Sequence, residues 1–298
     1  MRNAVAVMLA LWSAAAWAAV SAVDSAGRRV SLPAPAQRIV SVAPHVTELL
    51  FAAGAGSRVV AVSEYSDYPE VARRLPRVAS SGAVNVEEVL ALRADLVVAW
   101  RLDATARSLD RIEALGIPVF YSEPHRLAEI PNAIEALGLL AGTEEAARAA
   151  AQTLRSELEQ TRVRYHGRPI VRVFYQISDR PLMTVNGRHF ISDAIALCGG
   201  HNVFADLPLI APMIDAEAVM AADPDVIIAA RRDAGDAAWQ AFWRRFGQLR
   251  AVRNSNLVTL QQDQMHRHGP RAIAAAGRLC EALDEARARS GLRAAIPR

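Results

Sequence analysis

The sequence predicts an α/β protein of two lobes joined by one long helix, and three observations carry that expectation. Short apolar runs alternate with amphipathic stretches of helical period. One helix-favouring segment without Gly or Pro, residues 143–165 (TEEAARAAAQTLRSELEQTRVRY), interrupts the alternation near the middle of the chain. A helix–strand unit then recurs: residues 87–99 (EEVLALRADLVVA) and 217–229 (EAVMAADPDVIIA) align without a gap, sharing Glu, Val, Ala, Asp and Ala.

The elements follow in chain order. Arg2 gives a positive start, residues 4–16 an apolar run, and Ala16-Trp17-Ala18 an A-x-A cleavage pattern, so residues 1–18 read as a secretory signal peptide. The run is shorter than the roughly 20 residues of a bilayer-spanning helix, and no stop-transfer pattern follows it. No Cys lies near the cut, so the exported chain is expected to be free of a lipid anchor. The roughly 280 residues that remain exceed one compact core. Strands are expected at 38–42, 59–62, 95–100 and 118–121, with helices at 47–53, 86–92 and 104–115; Gly116 suits a helix C-cap. Strands separated by helices imply parallel sheets with right-handed crossovers. After the long helix the alternation resumes with strands at 170–176, 226–230 and 257–260, and a last helix runs from Arg271 to Arg289. The expected division is an N-terminal lobe over 19–142, a linking helix over 143–166 and a C-terminal lobe over 167–298.

The formal net charge is +3 and all 34 basic residues are arginine, scattered among Asp and Glu, which argues against a nucleic-acid partner. Without Lys, neither a phosphate-binding G-x-x-x-x-G-K loop nor an S-x-x-K nucleophile is possible. G-x-G-x-x-G, G-x-S-x-G, H-E-x-x-H and Cys–His zinc spacings are also missing, and Glu87 with Glu217, if each starts a helix in a different lobe, reads as solvated or docking residues more easily than as an acid/base pair, so an enzyme is the weaker class. In an exported chain the pair Cys198 and Cys280 points to a disulfide, with two buried thiols as the alternative.

Five stretches add a resemblance. SVAPHVTELL (41–50) with FAAG (51–54), SEYSDYP (63–69), NVEEVLALRADLVVAWR (85–101), CGG (198–200) with NVF (202–204), and GPR (269–271) opening the helix to Cys280 occur in order over essentially the whole mature chain. Together they resemble the periplasmic cobalamin-binding proteins of the BtuF type, within the helical-backbone family of metal-chelate receptors. SEYSDYP with DLVVAWR is the combination most specific to the cobalamin branch. The resemblance implies a class III periplasmic binding fold of two Rossmann-like lobes, a cleft holding a corrinoid, and a small opening motion about the rigid helix. It also implies no cofactor beyond the transported ligand, a monomer, and an inner-membrane ABC permease dimer with its ATPase as partner.

A corrinoid is a broad amphipathic disc edged with amides, so its site needs flat apolar walls and a few donors and acceptors. By resemblance, Tyr65 and Trp100 match ligand-contacting positions and Asp263 a polar rim position. Where the family has large aromatics this chain has Ser81, Met183, Ala211 and Met265, and His266 replaces a rim carboxylate. Flat surface is exchanged for polarizable side chains, and a haem or iron-siderophore is the alternative ligand. His45 follows the first strand, where α/β proteins place ligand contacts. A neutral imidazole coordinates cobalt or iron, so His45 is a candidate axial metal ligand, with His266 or His268 as competitors and an ordinary loop hydrogen bond as the alternative. Glu87 and Glu217 start equivalent helices and match the acidic pair that docks such proteins onto permease arginines. One carboxylate per lobe suits that role, and favourable placement at a helix N-terminus is the other reading.

Overall fold

The computed structural model describes residues 19–80, 82–233 and 237–292. The signal-peptide reading of residues 1–18 and the candidate Ser81 therefore fall outside the described residues. A hairpin of β1 (Val20–Val23) and β2 (Arg29–Leu32) precedes β3 (Ile39–Ser41), α1 (Pro44–Ala52), β4 (Val59–Ser63), β5 (Arg77–Ala79), α2 (Val86–Ala91), β6 (Leu96–Ala99), α3 (Asp103–Ala114) and β7 (Val119–Tyr121). The strands after the hairpin form one parallel sheet in the order β5-β4-β3-β6-β7. Every residue of β3, β6 and β7 is buried, as expected where helices cover both faces of a parallel sheet, and this is why these strands read as continuous apolar runs.

Two helices, α4 (Glu129–Ala141) and α5 (Glu144–Tyr165), carry the chain across to β8 (Val171–Gln176). There follow a short hairpin of β9 (Ser178–Asp179) and β10 (Leu182–Met183), then α6 (Phe190–Leu197), β11 (Gly200–Asn202), α7 (Ala216–Ala222), β12 (Val226–Arg231), α8 (Ala238–Arg244), α9 (Arg250–Arg253), β13 (Leu257–Gln261), α10 (Gln262–Met265) and α11 (Arg271–Arg289). The second sheet is parallel in the order β11-β8-β12-β13. Helix α5 packs on α4 and α1 on one side and on α6 and α11 on the other. One apolar cluster runs beneath it from Leu49 and Leu137 through Tyr165 to Tyr175, Ile195 and Leu279, so the lobes share core as well as covalent connection.

The internal repeat is structural. α2–β6 and α7–β12 are equivalent helix–strand units, capped by the side chains of Asn85 and Asp215. The turn between helix and strand holds a left-handed residue at the same repeat position, Arg93 (φ 50°) and Asp223 (φ 39°). Asp95 accepts from the backbone N–H of Arg38, and Asp225 from that of Arg172. The two arginines in turn donate to Leu92 O (2.6 Å) and Ala222 O (2.7 Å), which are again repeat-equivalent. The aligned Asp of the two segments is thus the side chain that stitches each unit to the neighbouring strand of its sheet, β3 or β8.

Two local differences from the sequence reading have clear causes. α1 begins earlier than residue 47 because Pro44, with its preset φ and missing N–H, is suited to the first helical turn. α4 went unassigned, and it ends at Gly142 in the left-handed C-cap conformation (φ 61°). α4 crosses α5 at Gly138, where a Cβ would lie 2.2 Å from Ala147 Cβ. Gly138→Leu is accordingly expected to lower the unfolding free energy by about 1–3 kcal/mol in urea titrations, the usual cost of overpacking; an unchanged midpoint would mean the crossing opens freely. Cys198, at the end of α6, and Cys280, in α11, form a disulfide with both residues fully buried, so the free-thiol alternative does not apply.

Candidate ligand cleft

The C-terminal strand ends of the two sheets meet, and three contacts mark the seam. The Arg232 guanidinium lies over the Tyr65 ring at 5.2 Å, Trp100 packs on His268 with ring centroids 5.5 Å apart, and Arg267 pairs with Asp67 at 2.6 Å.

Tyr65 is placed by a turn that its own side chain does not favour. Its φ is 62°, which costs a non-glycine residue about 1–2 kcal/mol. The surroundings impose it: Ser41, Thr47, Ser66 and Ser63 form a buried chain of hydroxyls, with separations of 2.8, 3.0 and 3.0 Å. Arg77 donates to both Ser63 O and Ser66 O, at 2.8 and 2.9 Å. The result is a large aromatic side chain left 58% exposed at the cleft.

Trp100 follows β6 and packs edge-on to His45 at 5.6 Å. His45 sits in the first turn of α1, buried, with Nε2 3.0 Å from Ser122 O. A nitrogen facing a carbonyl is the donor, so Nε2 carries the proton and Nδ1 keeps the lone pair. His45 is thereby a buried floor residue whose ring is oriented by its bond to Ser122. Among the described residues no three His, Cys, Asp or Glu side chains are arranged to hold a metal.

His189, Phe190, His266 and His268 complete the floor from the second lobe. His268 packs on His45 (5.5 Å), His189 (5.8 Å) and Phe190 (4.3 Å), and His266 lies 6.1 Å from Tyr175. Burial disfavours the imidazolium and pushes His45, His189 and His266 down to about 4, and His268 well below its usual range. Beside them, Arg267 also reaches Glu48 (3.2 Å) and Asp263 (3.4 Å), while Arg271 pairs with Glu48 at 2.6 Å. Glu48, buried on α1, is thus clamped by two arginines of the opposite lobe.

The remaining candidates divide. Asp263 is at the seam through Arg267, and His266 is half-buried there. Met183 bridges to Met213 at the edge of the second lobe, and Ala211 is exposed on the same loop. Met265, at 2% exposure, packs in the apolar cluster that the two lobes share. Glu87 and Glu217 are both exposed in first turns of equivalent helices, Glu87 beside Arg111 at 3.3 Å.

Sequence reasoning missed Arg232, Arg267, Glu48, and the exposed apolar side chains Leu209, Ile210 and Met213 (70%). The stretch LPLIAPM (207–213), apolar yet broken by two prolines and fitting neither helix nor strand period, was the available signal for the last group.

Comparison with known proteins agrees with this architecture. The family model described as "Periplasmic binding protein" matches residues 39–264. The vitamin B12-binding protein of Vibrio cholerae serotype O1 is 38% identical over 255 residues, covering 84% of this chain and 90% of its own. The crystal structure of the periplasmic vitamin B12 binding protein BtuF of Vibrio cholerae superposes with a TM-score of 0.78, over 85% of this chain and 98% of that one. The periplasmic heme-binding protein RhuT from Roseiflexus sp. RS-1, in apo form, has a TM-score of 0.72 at 24% identity, covering 84% and 99%, and shares the fold. With the match running from β3 to α10 through both parallel sheets and the helix between them, this chain belongs to the periplasmic binding protein family, in its two-lobed class III form.

Proposed function

We propose that this chain is the periplasmic substrate-binding component of an ABC importer, holding cobalamin or a related corrinoid in the inter-lobe cleft. The observation that carries the reading is Tyr65: an aromatic ring held exposed at the cleft by a left-handed backbone that its neighbours enforce. Strain of this kind persists where the surroundings over-determine it, and it clusters at ligand clamps. Tyr65 and Trp100 supply flat wall, Met183 and Ala211 edge the second lobe, and Asp263 and His266 form the polar rim. The role is binding and delivery rather than catalysis. Residues 1–18 serve as the signal peptide, and the lobes divide at 19–142 and 167–298 around the helix over 143–166.

Glu87 and Glu217 dock the loaded protein onto two equivalent basic sites of the permease dimer. Their placement on repeat-equivalent helices supports this, since two carboxylates related by pseudo-symmetry fit a symmetric partner. A haem reading is second, favoured by the histidines of the floor.

Calorimetric titration with cyanocobalamin tests the proposal. One-to-one binding is expected, weakened about 10- to 100-fold in Tyr65→Ala. The double variant Glu87→Ala/Glu217→Ala is expected to bind normally but to fail in cobalamin-dependent growth. Equal affinity of Tyr65→Ala and the native chain would remove Tyr65 from the site, and normal growth with the double variant would end the docking assignment.

A further inference from the structure

Five buried hydrogen-bonding atoms without a partner lie on the floor between the lobes: Trp100 Nε1, Ser122 Oγ, Tyr175 Oη, His266 Nε2 and His268 Nδ1. They are neighbours. Trp100 packs on His268 and on His45, whose Nε2 meets the Ser122 carbonyl, and Tyr175 packs on His266. Orphaned polar atoms are rare in folded proteins, and each requires a reason. Five of the nine such atoms among the described residues gather where the two lobes meet.

The chemistry of the set is specific. Indole, hydroxyl and phenol groups are neutral, and burial keeps both imidazoles neutral at ordinary pH. Three cations lie close by and each has a carboxylate: Arg267 and Arg271 are engaged by Glu48, Arg267 also by Asp67 and Asp263, and Arg231, which acts on His266 and Tyr175, by Asp179. The five atoms themselves are neutral, two of them imidazole nitrogens that donate or accept according to tautomer. His189, which packs on His268, also lines a cavity of about 560 Å³ beside α6, together with His125, Ser192 and Ile210.

We propose that this floor reads the neutral carboxamide arms of a ring ligand, with His266 and His268 as specificity-determining residues, and discriminates against rings whose arms end in carboxylates. The inference rests on the corrinoid reading above. An arm's N–H donates to an imidazole lone pair, and its C=O accepts from the Trp100 N–H or the Tyr175 O–H. An amide can both donate and accept, so it pairs with the floor whichever tautomer the imidazoles hold, whereas a carboxylate can only accept and brings charge into a buried floor. A small separation of the lobes admits the arms, whose amides pair with these atoms.

The test uses two corrinoids that lack the nucleotide tail: cobyric acid, whose arms are amides save one, and cobyrinic acid, whose arms are all carboxylates. The native chain is expected to bind cobyric acid about 100-fold more tightly. His266→Phe and His268→Phe should each weaken cobyric acid about tenfold, while His266→Gln, which keeps hydrogen-bonding capacity, should retain most of the affinity. Equal affinity of the native chain for the two rings overturns the inference while leaving the corrinoid reading intact. So does native-like cobyric acid binding by both Phe variants. Failure of the native chain to bind any corrinoid overturns both readings. If a Phe variant does not fold, the native ratio and His266→Gln still decide.

Discussion

Glu48→Gln is expected to lower the unfolding free energy by about 3–5 kcal/mol, the range for removing one member of a buried ion pair. Glu48 is buried on α1 and accepts from Arg271 through Nε at 3.0 Å and Nη2 at 2.6 Å, and from Arg267 at 3.2 Å. Both arginines come from the second lobe. Neutralising the carboxylate leaves two guanidinium groups facing an amide in a site with little access to water. Arg267 keeps Asp67 and Asp263, so Arg271 loses the larger share of its pairing. Urea unfolding of the variant measures the effect. A loss below about 1 kcal/mol, the level of an exposed pair, would mean that the clamp is screened and does not tie the lobes together.

Acid is the second lever. His45, His189 and His266 are held near 4 by burial and His268 well below its usual range, whereas an unfolded histidine titrates near 6.5. The unfolded chain therefore takes up protons first as pH falls. The sign follows: the full stability is present above pH 6.5 and declines as pH drops toward 4. Linkage puts the loss on the order of 3 kcal/mol for each histidine brought down to about 4. Between pH 7 and 5 ordinary carboxylates remain ionised, so a fall in urea midpoint across that interval isolates the histidines. A midpoint that does not change from pH 7 to 5 would show that the floor is already open to solvent.

Much of the fold was legible because its strands are short, apolar and separated by helical periodicity. The long helix was legible because twenty-odd residues lack a breaker. The repeat was legible through Asp95 and Asp225, whose role in holding each unit to the neighbouring strand was not. α4 was harder, since its small residues serve the crossing with α5 at Gly138 and dilute the amphipathic pattern.

The site was legible only in part, for a physical reason. Tyr65 and Trp100 stand beside recognisable strand ends. Glu48 is one acidic residue in an apolar helix, and nothing local says that its partners lie more than 200 residues away. Met265 and His266 are adjacent yet differ in burial, Met265 lying in the core and His266 half-buried beside Tyr175, a difference that sequence spacing does not show. His45 was correctly located near the strand end, but its hydrogen bond to Ser122 depends on the approach of β7, which sequence spacing does not reveal.

If the inter-lobe cleft takes a corrinoid, a titration of the mature protein with cyanocobalamin and, in parallel, with hemin, followed by absorbance and calorimetry, separates the two ligands. The expected result is tight one-to-one binding of cyanocobalamin and weak binding of hemin. Tight hemin binding with no response to cyanocobalamin would contradict it and would reassign the cleft to haem.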